Sequence, residues 1–231
     1  MKILRKVLVP VLLLMAVIAQ SAQSAIIPTL FSTGVDSSGN PLASGSIDPH
    51  YELISVPPSS GYSSSTYTAD TTADPVNTIW ANPGSTARWI GPVTDVANMP
   101  SATTTGDYVY KTTFDLTGFD PTTAVITGQW TADDVAPLMT INSVSTGYTI
   151  SGSSAFSTLN NFTISSGFIA GLNTLQFTVS NVTITGGLNP SGLLVIMSGT
   201  ATAVPEPASI ALFSLGAISI ALANRGRRKI A

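Results

Sequence analysis

Asp107-Tyr108-Val109-Tyr110-Lys111-Thr112-Thr113-Phe114-Asp115-Leu116 alternates with a period of two. Tyr108, Tyr110, Thr112, Phe114 and Leu116 share one face, while Val109, Lys111, Thr113 and Asp115 share the other. Successive side chains of an extended chain point to opposite sides, so this stretch predicts a strand with one side in a core and the other in water. A turn at 118–121 ends it. Working outward, the same reading predicts strands at 50–56, 124–130, 137–142, 147–151, 161–165, 173–182 and 192–203, divided by Gly, Asn, Pro and Asp. Between the chain ends only a turn at 168–172 departs from this rhythm toward a helical period. Short strands at such spacing predict an all-β fold, a β-sandwich or jelly roll. Residues 57–75 and 94–106 are rich in Ser, Thr and Pro and read as flexible linkers or long rim loops.

Composition narrows the function classes. Only 9% of the 231 residues are charged, against a usual quarter, whereas 30 Thr and 29 Ser supply a hydroxyl surface. With no Cys and the single histidine His50, thiol nucleophiles, disulfides and multi-histidine zinc sites are excluded, and neither a metal nor a cofactor is expected. Seven of the nine basic residues lie at the chain ends, leaving Arg88 and Lys111 against eleven acidic residues between 26 and 203. A stretch so acidic has no basic face to displace counterions from phosphates, so no nucleic-acid partner is expected.

The N-terminus reads as a signal peptide over residues 1–25. Lys2, Arg5 and Lys6 precede an apolar run at 7–19 and a small, polar segment at 20–25, which predicts cleavage by signal peptidase between Ala22 and Ile26. The C-terminus carries three parts in order. Val204, Pro205, Glu206 and Pro207 lead into an apolar segment at 208–223, read as a single transmembrane helix, and then into a basic tail at 224–231. Sixteen helical residues span about 24 Å, short for a bilayer core but sufficient if it thins locally. Arg225, Arg227, Arg228 and Lys229 form a stop cluster that stays cytoplasmic and leaves everything before Val204 outside.

This tail resembles the PEP-CTERM sorting signal of Gram-negative bacteria that make extracellular polysaccharide. The resemblance implies processing by exosortase, with Pro205, Glu206 and Pro207 as the recognition motif, and Arg225, Arg227 and Arg228 as the basic end. It also implies an exported precursor anchored for a time in the inner membrane, then released to the cell surface or extracellular matrix. Each proline fixes φ and restricts the residue before it, which keeps residues 204–207 extended at the membrane surface.

Residues 26–203, the predicted β-sandwich domain, resemble the galactose-binding-like jelly-roll domain. The segments that carry the likeness are Asp48-Pro49-His50-Tyr51, Trp80, Ala87-Arg88-Trp89-Ile90-Gly91-Pro92, 108–116, Gly128-Gln129-Trp130-Thr131-Ala132-Asp133-Asp134, 168–179 with Asn181, and Asn189-Pro190-Ser191-Gly192-Leu193. One departure is Asn142-Ser143, where many such domains have Asn-Gly. A sugar-binding domain needs aromatic faces for pyranose C–H groups and polar acceptors for hydroxyls, and Tyr51, Trp80, Trp89 and Trp130 are the large candidates. The alternative for the tryptophans is closure of the sandwich ends. His50 reads as a packed strand residue, and Asp36 with Asn40 and the Asp133-Asp134 pair read as turn carboxylates rather than calcium ligands.

The expectation is therefore a non-enzymatic, exosortase-sorted surface or matrix protein whose sandwich associates with exopolysaccharide. The alternative is a purely structural protein without a specific ligand. A glycoside hydrolase is a third, remote reading, since eleven acidic residues formally allow two opposed carboxylates.

Overall fold

The computed structural model of the chain describes residues 22–152 and 155–205. The predicted membrane helix, the basic tail, Glu206 and Pro207, and all but four residues of the predicted signal peptide lie outside the described residues. Among the described residues no helix is long and apolar enough to cross a membrane.

Eleven strands form one curled sheet: β1 (Ser24–Ile26), β2 (Ile47–Ser55), β3 (Ser65–Thr68), β4 (Ile90–Gly91), β5 (Gly106–Asp115), β6 (Phe119–Asp133), β7 (Val135–Ile141), β8 (Val144–Ser145), β9 (Asn160–Ile164), β10 (Leu172–Asn181) and β11 (Gly192–Ala203). Their order is β8-β7-β10-β5-β2-β3-β4-β11-β6-β9, with β1 pairing against β11. Five strands separate β10 from β6 along that path, yet Phe177 of β10 and Trp130 of β6 have ring centroids 5.8 Å apart. The sheet thus folds back so that its halves face each other across one core, which is the predicted sandwich of jelly-roll type. Residues Ser24–Thr202 make up this unit, and β1 starts two residues inside the predicted signal peptide.

The alternation of β5 does what the sequence pattern predicts. Tyr108, Tyr110, Thr112, Phe114 and the following Leu116 are at most 2% exposed, while Thr113 on the opposite face is exposed. Partner strand β10 answers with Asn173, Leu175, Phe177, Val179 and Asn181 facing inward. Gly128 is needed where β6 runs beside β11: a Cβ there would collide with the Ile196 carbonyl oxygen.

Two predicted features differ from the structure. Residues 147–151 are not a strand, because Asn142 and Ser143 (φ 49° and 67°) make a two-residue turn that pairs Val144 and Ser145 directly with Ile141 and Thr140. The chain then turns away at Gly147, and only Ile150 returns, as a single bridge to Ala136. Conversely, the two stretches read as loops contain ordered elements: β3 lies in the first, and a one-turn helix, α1 (Ser101–Thr104), in the second. Thr66 and Thr68 of β3 are fully buried because their hydroxyls donate to the Tyr51 carbonyl at 2.9 Å and the Ala43 carbonyl at 2.6 Å, so hydroxyl-rich composition conceals a buried strand.

The turn at 168–172 is held by one side chain. Asn173 is fully buried, its Nδ2 donating to the Ile169 and Gly171 carbonyls at 2.8 Å each while its Oδ1 accepts from Ile169 N–H at 2.9 Å and Asn142 Nδ2 at 2.8 Å. Asn173→Ala removes four part-buried bonds and leaves the backbone groups of the turn without their shared partner. A loss of about 2–4 kcal/mol in urea unfolding is expected, without a change in slope.

Candidate functional site

The four aromatic residues expected to meet sugar are in the core, which corrects that assignment. Trp80 is 5% exposed, Trp89 and Trp130 1% each, and Tyr51 3%, so none offers a ring face to a ligand. Trp80 and Trp89 lie against each other with centroids 4.3 Å apart. Trp80 Nε1–H donates to Asp133 Oδ2 and Trp89 Nε1–H to the Ala81 carbonyl, both at 2.9 Å, while the Tyr51 hydroxyl donates to the Phe31 carbonyl at 3.1 Å. Their polar ends are satisfied inside the protein, as large rings in a core require.

The other residues singled out are placed as follows. His50 stacks on Phe31 with ring centroids 3.7 Å apart, and its Nε2 is buried without a hydrogen-bond partner. Asp36 closes a turn, Oδ1 accepting from Ser38 and Asn40 N–H at 2.8 and 2.9 Å, bonds that hold its carboxyl below the usual range. Burial, a hydrogen bond with Asp134 and the charge of Asp134 push the Asp133 carboxyl up to about 8, against the opposing pull of Trp80. Among the described residues no group of three or more His, Asp or Glu is gathered to hold a metal ion.

Among the described residues two small clefts open to solvent. The first, of about 190 Å³, lies where the two ends of the sheet path, β8 and β9, approach each other. Tyr148 lines it together with the hydroxyl side chains of Ser145, Thr146, Thr163, Ser165 and Ser166 and the aliphatic ones of Ile141, Val144 and Ile164. The Tyr148 hydroxyl donates to the Thr163 carbonyl and accepts from Thr163 N–H, both at 2.9 Å. It thereby does for the free edge of β9 what a neighbouring strand would do, and it fixes the ring. Phe162 meets the same ring edge-on at 6.1 Å. A partly buried ring, packed on the core at one side, held by its hydroxyl and bordered by other hydroxyls, offers what a pyranose needs: an apolar surface with hydrogen-bonding groups around its rim.

The second cleft, of about 220 Å³, sits on β2 and β5 and is lined by Pro49, His50, Glu52, Lys111 and Thr113, with Tyr51 in its wall. Lys111 is ion-paired with Glu52, so the cleft offers a cation, a carboxylate and a hydroxyl without net charge. Neither cleft contains two carboxylates.

At the C-terminal end of β11 the chain leaves the sheet, and Val204 is 54% exposed in irregular backbone. Residues 203–228 match the family model described as the PEP-CTERM protein-sorting motif. This chain carries a PEP-CTERM sorting motif. The match takes in Val204, Pro205, Glu206 and Pro207 together with Arg225, Arg227 and Arg228, while Lys229 lies one residue beyond it. The motif implies an exported, membrane-anchored precursor that exosortase processes for the cell surface. No curated protein matches the chain. Among solved structures, a native family 35 carbohydrate binding module from Clostridium thermocellum aligns at 12% identity with a TM-score of 0.30, over 78% of this chain and 98% of that one.

Sequence reading missed Tyr148, Lys111 and Glu52 because it ranked candidates by ring size, and the largest rings are those a core buries first. The overlooked signal is Ser145-Thr146-Gly147-Tyr148-Thr149, one aromatic embedded in hydroxyls after a tight turn. Lys111 is also one of only two basic residues between 26 and 203.

Proposed function

We propose that this PEP-CTERM protein is a non-catalytic component of the exopolysaccharide matrix of a Gram-negative bacterium, and that its sandwich holds a sugar residue of that polymer in the Tyr148 cleft. The observation that carries the proposal is the partly buried Tyr148 ring, its hydroxyl bonded to both backbone groups of Thr163, in a cleft of about 190 Å³ lined by five hydroxyl side chains and three aliphatic ones. A cleft of that size suits one pyranose rather than a drug-sized molecule. The excess of acidic over basic residues in the domain favours a neutral polymer, because an acidic one would be repelled. Affinity per site is expected between about millimolar and micromolar, and many copies on one polymer raise retention well beyond that.

Calorimetric titration of the released protein with exopolysaccharide from the producing organism tests this. The buried tryptophans make fluorescence a poor reporter. Tyr148→Ala is expected to weaken binding by about tenfold or more, and Tyr148→Phe, which keeps the ring, by less. Binding indifferent to Tyr148→Ala would overturn the proposal. The burial of all three tryptophans favours a second reading, a purely structural matrix protein, and that reading expects no heat of binding at all.

A further inference from the structure

The two clefts are joined by strand register. Glu52 on β2 stands opposite Lys111 on β5, Lys111 opposite Gln176 on β10, Gln176 opposite Thr140 on β7, and Thr140 opposite Ser145 on β8. Residues directly opposite one another in a sheet lie on the same face, so these five form one row across five strands. Glu52 and Lys111 at one end line the His50 cleft, and Ser145 at the other lines the Tyr148 cleft. This is the outer face, away from the core residues Tyr110, Thr112, Leu175 and Phe177. Its ends and flank are open to solvent, Glu52, Thr113 and Ser145 being exposed and Leu138, opposite Thr178 in the neighbouring row, 40% exposed, while Lys111 and Gln176 are half-buried and Thr140 is buried between them and Ser145. Beside the row stand the further hydroxyls of Thr113, paired with Thr174, and of Thr178 and Ser180.

We infer that this row is the track of a single extended polysaccharide chain running across the strands, with the Tyr148 cleft at one end and the His50, Glu52 and Lys111 cleft at the other. The inference rests on the sugar-binding reading of the Tyr148 cleft and extends it from one sugar residue to a chain. Four strand spacings of about 4.8 Å make the row about 19 Å long. One such spacing is close to the advance of one pyranose unit along an extended, equatorially linked polymer, so each strand meets roughly one sugar. Half-buried Gln176, carrying both donors and an acceptor, stands midway, and Thr140 at 8% exposure forms the floor beside it. At the far end the carboxylate of Glu52 accepts from sugar hydroxyls while Lys111 donates to ring or hydroxyl oxygens. A neutral chain is engaged there without breaking charge balance.

The test uses oligosaccharides made by partial hydrolysis of the producing organism's exopolysaccharide, separated by length and titrated calorimetrically into the released protein. Affinity is expected to rise about tenfold or more from the disaccharide to the pentasaccharide and then level off, since further units pass beyond the row. The double variant Glu52→Gln, Lys111→Met is expected to remove most of that gain with length. Gln176→Ala is expected to remove part of it, and circular dichroism confirms that each variant is folded. Disaccharide binding that depends on Tyr148 but does not strengthen with length overturns the track and leaves the Tyr148 reading standing. The track is likewise overturned if the gain survives the double variant. Absence of binding at every length overturns both.

Discussion

Alanine at Pro205, Glu206 and Pro207 together is expected to leave the full-length chain in the membrane, with none released. Proline fixes φ and denies the backbone a donor, and a residue preceding proline avoids the helical region, so the sequence predicts an extended backbone at 204 and 206. The sequence after Pro207 is apolar and predicted to be helical. With both prolines gone, that helix is free to propagate upstream and draw the recognition segment into regular structure, out of reach of a processing cleft. Glu206 supplies the lone charge of the segment, and Glu206→Gln separates its contribution from that of the backbone. Immunoblotting of membrane and medium fractions reads the result, and unchanged release from the triple variant would contradict the assigned route.

Stability is expected to fall as pH rises from about 4 to about 8, the reverse of the usual carboxylate effect. Asp133 is 5% exposed, and its carboxyl, raised from 3.8 to about 8 by burial, by its hydrogen bond with Asp134 and by the Asp134 charge, stays protonated in the folded protein across that window. In the unfolded chain it ionises near its ordinary value, so the folded state holds a proton that the unfolded state has lost, and stability declines by up to about 1.4 kcal/mol per pH unit. Asp48, whose carboxyl is also raised by burial, acts in the same direction. Asp36, Asp70, Asp115 and Asp120, held low by hydrogen bonds in their turns, have the opposite sign, and their contribution is lost only as pH drops below about 4. The expected profile has its maximum near pH 4 to 5. Urea unfolding across pH 4 to 9 measures it, and Asp133→Asn, which still accepts from Trp80 but does not ionise, should flatten the decline. A wild-type profile that rises through this window would refute the assignment.

The parts of the fold legible in the sequence are those where period-two alternation coincides with burial. In β5 and β10 every inward position is apolar, a threonine or an internally bonded asparagine, so the face is visible by inspection. Where burial is achieved through hydroxyl donors, as in β3, the composition of a core strand equals that of a loop, and the strand is invisible. The short strand β8 was hidden for a different reason. Its register is set by the positive φ angles of Asn142 and Ser143, a conformation for which serine gives no signal, whereas the glycine common at that position in similar domains would have. The site was least legible. Its members come from β8, the segment after it, β9 and the loop beyond, and only the curl of the sheet brings its two ends together. The sorting tail, by contrast, is contiguous, and contiguous chemistry is read directly from the chain.

The most direct test of sugar binding by the released domain is residue-resolved. Backbone amide shifts of the isotope-labelled released protein, followed by NMR during titration with oligosaccharides from the exopolysaccharide, locate any contact without presuming it. The largest changes are expected at Ser145, Thr146, Tyr148, Thr163 and Ser166, with Lys111 and Gln176 joining as the oligosaccharide lengthens. Changes confined to the opposite half of the sandwich, or none at saturating sugar, would contradict that expectation.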